Sequence, residues 1–207
     1  CGLGLCAVHD NLYAFGGWIG SEIGNTIEMF NPDVNRWQQH GKMPCSRFAM
    51  GLVKSGRIPS LVYVVGGANE FGIELNSAEC YNPVTREWTD LPPMRVRRSF
   101  VNCAVMEGYL YAVGGWNEHD GTLSSVERYS IDEDAWEDVV DMGTSRAGAS
   151  VAAVHGFVYV IGGRSVVEGY TFPTTVDTVE CFDPHTRSWL DVPANLSGRC
   201  EAGVAVM

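Results

Sequence analysis

Positive charge is scarce in this chain, with 14 Lys and Arg against 25 Asp and Glu over 207 residues and a formal net charge of −11. Such a surface repels phosphate groups, so neither nucleic acid nor an anionic membrane is an expected partner. No apolar run approaches the roughly 18 residues that span a bilayer, and no secretory leader is legible after Cys1. Cys1, Cys6, Cys45, Cys80, Cys103, Cys181 and Cys200 are odd in number and form no CxxC pair. A disulfide framework or zinc site is therefore not expected, and the thiols read as reduced and mostly buried, as in a cytoplasmic protein. The sequon Asn195-Leu196-Ser197 would suit a secreted chain, but such triplets arise often by chance.

Catalytic signatures are missing too. There is no GxSxG, HExxH, P-loop or dinucleotide fingerprint. The histidines are His9, His40, His119, His155 and His185, of which His9 and His155 fill the same turn slot in different repeats. That is periodicity and not a ligand cluster. No metal, cofactor or catalytic residue is assigned. Cys45 and Cys200 would be reactive only if Arg47 or Arg199, near them in sequence, lowers the thiol pKa.

What the chain has is glycine, 24 residues of it, much of it paired. The double glycine recurs at Gly16-Gly17, Gly66-Gly67, Gly114-Gly115 and Gly162-Gly163, at intervals of 50, 48 and 48. Each pair ends an apolar run with a tyrosine three residues before it: Tyr13, Tyr63, Tyr111 and Tyr159. Such runs predict strands buried on both faces. Downstream come a glutamate and an aromatic (Glu28 and Phe30, Glu79 and Tyr81, Glu127 and Tyr129, Glu180 and Phe182), then a turn (Asn31-Pro32, Asn82-Pro83, Ser130-Ile131, Asp183-Pro184). A tryptophan follows each aromatic by seven residues, at Trp37, Trp88, Trp136 and Trp189. Arg47, Arg98, Arg146 and Arg199 mark the repeat starts.

This constellation resembles the kelch repeat over the whole chain. WD40 blades are shorter, at about 40–45 residues. The resemblance implies an all-β propeller of four four-stranded antiparallel blades, at about 1–46, 47–97, 98–145 and 146–198, with 199–207 starting the first strand of a fifth. Strands A to D of the first blade are placed near Gly2–Val8, Asn11–Gly16, Thr26–Phe30 and Arg36–Gln39. A lone blade cannot bury both faces, whereas stacked blades can. The pattern therefore predicts a fragment of a larger, six-bladed ring, cut just after a repeat arginine.

From glutamate to tryptophan the spacing is nine in every repeat, but from the first glycine to the glutamate it is 12, 13, 13 and 18. Length variation thus falls in the B–C loops, which emerge on the same face as the D–A loops. A rigid scaffold with variable loops on one face predicts a binding surface. The candidate contact residues are Trp18, Ile19, Glu22, Asn69, Phe71, Trp116, Asn117, His119, Arg164 and Tyr170 from B–C loops, with Arg95, Arg97, Phe100 and Glu201 from D–A loops; Phe172 is a weaker candidate. Trp18 and Trp116 fit either partner anchors or rim packing. The Arg95, Arg97, Arg98 cluster fits either an acidic ligand or a solvated loop. The periodic tryptophans, glutamates and arginines read as structural, the charges paired because burial demands it. One departure lies on the opposite face, where Lys54–Ser60 lengthens an A–B turn by three residues.

The segments CGLGLC, GGWIGSEIGNTIE, GGWNE, GGRS and SGRCEAGVAV are similar to the kelch domain of actin-binding proteins of the BTB-BACK-kelch type. That resemblance implies a cytoplasmic, cytoskeleton-associated protein whose propeller recruits a protein partner, either actin or a substrate of a cullin-3 ubiquitin ligase. Dimerisation would belong to a BTB domain that this chain does not contain. The alternatives are an actin cross-linker with no ligase role and an enzyme on a kelch scaffold, as in copper radical oxidases; the second lacks the convergent His and Tyr ligands it would need.

Overall fold

A computed structural model of the chain describes residues 1–166, 173–194 and 196–206. Tyr170, Phe172 and Asn195 lie outside the described residues. The described residues form strands and turns only, in two compact units, Cys1–Ser99 and Phe100–Met207.

The first unit holds two meanders. One runs β1 (Gly4–Val8), β2 (Asn11–Ile19), β3 (Glu22–Asn31), β4 (Arg36–Lys42); the next runs β5 (Gly51–Lys54), β6 (Val62–Val65), β7 (Ala78–Asn82), β8 (Glu87–Leu91). All neighbours are antiparallel. The second unit repeats the plan twice, with β9 (Asn102–Met106), β10 (Tyr109–Val113), β13 (Val126–Ser130) and β14 (Ala135–Val139), then β15 (Ser150–Val154), β16 (Phe157–Ile161), β19 (Val179–Asp183) and β20 (Ser188–Val192). Two short ladders stand on these sheets, β11 (Trp116–Asn117) with β12 (Gly121–Thr122), and β17 (Arg164–Ser165) with β18 (Thr174–Thr175).

Within each unit the sheets pack face to face through their apolar runs. In the first unit Val8, Phe15, Ile27, Val62, Val64 and Tyr81 close one core; in the second, Tyr111, Val113, Val126, Val158, Val160 and Phe182 close another. The constant glutamate-to-tryptophan spacing has a direct cause. The aromatic of the third strand sits opposite the tryptophan of the fourth in all four sheets: Phe30↔Trp37, Tyr81↔Trp88, Tyr129↔Trp136 and Phe182↔Trp189. Trp88 and Trp189 also donate their indole N–H to carbonyls at the end of the preceding sheet, Lys42 O (2.9 Å) and Val140 O (2.7 Å). The connecting turns are side-chain capped. Asn31, Asn82 and Asp183 accept backbone N–H groups two residues on. In the proline-free third repeat Ser130 Oγ accepts the N–H of Glu133, three residues on, so a hydroxyl replaces the amide or carboxylate and the hairpin keeps its length.

The double glycine is sterically required. Gly114 has φ +59°, and a Cβ there would lie 2.4 Å from the Arg146 carbonyl oxygen; Gly162 (φ +66°) meets the Arg199 oxygen at the same 2.4 Å. The second glycine's N–H donates to that same oxygen in every repeat: Gly17 to Arg47 (2.9 Å), Gly67 to Arg98 (2.9 Å), Gly115 to Arg146 (2.8 Å) and Gly163 to Arg199 (2.8 Å). The repeat glycines therefore exist to let the next repeat's arginine backbone come close.

The side chains of Arg47, Arg98 and Arg146 are buried. Arg47 donates to Glu79 (2.6 Å) and to the Gly66 carbonyl (3.2 Å), both within its own repeat. Arg146 reaches Glu180 (2.8 Å), Gly162 O (2.9 Å) and both oxygens of Thr178. Glu180 also accepts the N–H groups of Gly143 and Thr144, which end the preceding repeat. Glu28, the corresponding glutamate of the first repeat, is exposed. The expected structural role of these charges takes this form: the guanidinium ties its own sheet together, and in the last repeat the Glu180 carboxylate also ties that sheet to its predecessor.

Two expectations about element boundaries change. Strands B and C of the first meander run past Gly16 to Ile19 and start already at Glu22, with a bulge between Phe15 and Gly17, because Trp18, Ile19 and Ile23 continue the ladder. And Arg199–Val206 form no strand. They dock by backbone bonds, Arg199 N–H to Val176 O and Glu201 N–H to Gly148 O, but no second strand pairs with them among the described residues, and a ladder needs two.

Candidate binding face

Residues on either side of the repeat arginine meet the residues that follow the double glycine. Phe48 pairs with Ala68 and Ala147 with Arg164 as antiparallel bridges, and Trp18 N–H donates to Cys1 O (2.7 Å). The position two after each arginine takes a left-handed backbone: Ala49 (φ 53°), Phe100 (φ 50°), Gly148 (φ 62°) and Glu201 (φ 52°). Its N–H turns toward the same position of the preceding repeat, Ala49 to Gly2 O and Gly148 to Phe100 O (both 2.8 Å). Within each unit, B–C tips and D–A loops thus share one face.

In the first unit this face holds a cleft of about 500 Å³. It is lined by the β2–β3 hairpin, with Trp18, Ser21, Glu22 and Ile23. Ser46 and Phe48, flanking the buried Arg47, and Asn69, Glu70 and Gly72 complete the lining. Trp18 is 48% exposed. Its indole N–H is held by Gly20 O (2.6 Å), and its ring stands against Phe48 at 5.6 Å in a T-shaped pair. Trp18 therefore combines rim packing with an accessible surface. Ile19 and Phe71 project beyond the cleft, Phe71 at 78% exposure. Asn69 shapes its own loop, its Oδ1 accepting the N–H groups of Phe71 and Ile73, both at 3.0 Å.

The second unit arranges the same face differently. Trp116 lies opposite Thr122 at the base of the β11–β12 ladder. Asn117 is buried, and its Oδ1 accepts the Asp120 backbone N–H (2.7 Å). His119 is exposed and pairs with Asp120 at 2.8 Å; that contact, with Asn117, holds the Asp120 carboxyl below its ordinary range. Arg164 spans two loops, reaching Glu201 (2.6 Å) and the Cys200 sulfur (Nε–Sγ 3.0 Å). The thiol's guanidinium neighbour is thus Arg164, whereas Arg199, the expected one, donates to Ser197 O. Cys45 contacts Arg47 as expected, at 2.9 Å. A chain of hydroxyls, Thr122–Ser145–Ser165 (3.1 and 2.9 Å), lines the neighbouring loop junction.

Arg95 and Arg97 are exposed, and Arg97 donates to Glu74 O (3.1 Å). Of the expected contact residues, the cleft gathers Trp18, Glu22 and Asn69; Arg164 and Glu201 meet each other; His119 and Asn117 meet Asp120. Ser46, Phe48 and Glu70 were missed. Phe48 directly follows a repeat arginine, which is the signal that would have found it. All seven cysteines are free, and burial pushes the Cys6 and Cys80 thiols up to about 11, so both are protonated and unreactive at neutral pH.

Repeated four-stranded meanders, each closed by a double glycine against the next arginine, define a β-propeller of kelch-type blades. The family model described as the KLHDC2/KLHL20/DRC7 Kelch-repeats domain matches residues 2–206, and the chain belongs to that kelch-repeat family. Alpha-scruin of Limulus polyphemus is 32% identical over 50% of this chain and 11% of its own length. Kelch-like ECH-associated protein 1A of Danio rerio is 36% identical over 47% of this chain and 16% of its own. The chain therefore spans a small part of these relatives. The solved structure of YjhT superposes with a TM-score of 0.82, covering 97% of this chain and 72% of that one at 13% identity, which shows the shared fold.

Proposed function

We propose that this chain is a protein-interaction module whose B–C and D–A loops form the contact face, and not an enzyme. The carrying observation is that face itself: tips of different length and chemistry, with a half-exposed tryptophan lining a cleft of about 500 Å³, on meanders that repeat one four-stranded plan. Its finer reading is a propeller that captures actin or the substrate of a cullin-3 ligase in the cytoplasm, at the cytoskeleton, with dimerisation and ligase recruitment left to a BTB domain outside this chain. This finer reading rests on the segments similar to BTB-BACK-kelch proteins.

The test compares wild type with Trp18→Ala/Trp116→Ala/Arg164→Ala in a lysate pull-down read by mass spectrometry. The variant should lose specific partners while its thermal unfolding midpoint stays within a few degrees of wild type. An unchanged partner list would overturn the assignment of this face. Actin among the lost partners, with filament co-sedimentation and no ligase component, would select the cross-linking reading.

A further inference from the structure

We infer that the cleft of the first unit binds the cationic side chain, arginine or lysine, of a partner peptide. This deepens the proposed function by naming the chemistry of the occupant. Glu22, at the start of β3, and Glu70, in the loop between β6 and β7, both line the cleft and both are exposed. No ion pair among the described residues reaches either carboxylate, and none of the cleft's lining residues is basic. Trp18 and Phe48 line the same cleft as a T-shaped pair, and the Trp18 ring is 48% exposed. The indole N–H bond to Gly20 O holds that ring in place before any partner arrives, which lowers the ordering cost of binding.

The nearest large cation, Arg47, is buried beneath the cleft and neutralised by Glu79, so it does not repel a second guanidinium. Two carboxylates and an exposed indole lining one cleft suit a flat cation: charge-assisted hydrogen bonds at the edge and cation–π contact on the face. The volume falls in the roughly 300–1,000 Å³ range of specific recognition sites. The partner is thus a basic peptide segment, and arginine should be favoured over lysine because only the guanidinium both forks and stacks.

The experiment uses the 207-residue chain and immobilised degenerate heptapeptides whose central residue is fixed as Arg, Lys, Leu or Glu. At low salt the Arg pool should retain at least five times as much protein as the Glu pool, with Lys between them. Glu22→Gln/Glu70→Gln should bring the Arg pool down to the Leu level. A charge-matched control, Glu107→Gln/Glu133→Gln in turns of the other unit outside the B–C and D–A loops, should keep the preference, which separates this cleft from general attraction to an acidic chain. Trp18→Leu should erase the Arg-over-Lys difference. Equal retention of all pools, a preference for Glu, or an Arg preference that survives Glu22→Gln/Glu70→Gln would overturn the inference. Matching affinity for free argininamide would also overturn it, by showing a small-cation site with no peptide component. Failure here with partners still lost from the Trp18/Trp116/Arg164 variant would leave the binding face standing and remove only its proposed ligand.

Discussion

The two units are built on one plan, but one is balanced in charge and the other is strongly acidic. Residues 1–99 hold nine Lys and Arg and nine Asp and Glu; residues 100–207 hold five and sixteen. The whole net charge of −11 therefore lies in the second unit. Yet both use the same double glycines, the same aromatic–tryptophan pair across the third and fourth strands, and the same buried arginine-to-glutamate tie. The fold is set by backbone approach and buried pairs, and is indifferent to exposed charge. Exposed charge is then free to differ between repeats and to choose partners.

The comparison breaks most easily at the glycines. Gly16→Ala in the first unit and Gly114→Ala in the second should each destabilise by about 3 kcal/mol or more, since each has positive φ and little room (2.6 Å to Arg47 O, 2.4 Å to Arg146 O). Chemical denaturation measures both, and a tolerated substitution in either unit would show that the shared plan is not equally strict. Next come the buried pairs. Arg47→Met and Arg146→Met each strand a buried carboxylate, a loss of about 3–5 kcal/mol. Arg146→Met should be the worse, because Arg146 also serves Thr178 and Gly162. Arg146→Met/Glu180→Met should recover part of the loss; no recovery would mean that the carboxylate's bonds to Gly143 and Thr144 dominate. Smallest is the surface charge. Glu133→Lys should raise the midpoint by about a degree at low salt and by nothing at 0.5 M salt, where the Debye length falls to a few ångströms. Glu87→Lys in the balanced unit should do neither. Equal responses would show that the charge imbalance has no energetic consequence.

Much of the fold was legible because its determinants recur at fixed spacing. The glycine pairs, the Asn-Pro and Asp-Pro turns and the seven-residue aromatic-to-tryptophan step are short-range constraints, and each repeats. What escaped is nonlocal. The extension of β2 and β3 through Trp18, Ile19 and Ile23 hid behind Gly20 and Gly24, which read as loop residues. The role of Phe48 depends on its facing Trp18, 30 positions away in the chain. Arg164 finds Glu201 and Cys200 only once the fourth meander has folded back on itself. Local spacing gives a strand and its turn; it does not say which loop tip will lean on which.

Each repeat arginine is shared property. The carbonyl of Arg47 receives Gly17 of one sheet while its guanidinium holds Glu79 and Gly66 of the next; Arg146 divides itself likewise between Gly115 and Glu180. A cut beside such a residue injures two blades, whereas a cut in the tight turns at His9–Asp10, Glu107–Gly108 or His155–Gly156 interrupts a single hairpin. Anyone splitting, permuting or grafting these blades should therefore place the seams at the A–B turns and let every arginine travel with the chain on both its sides.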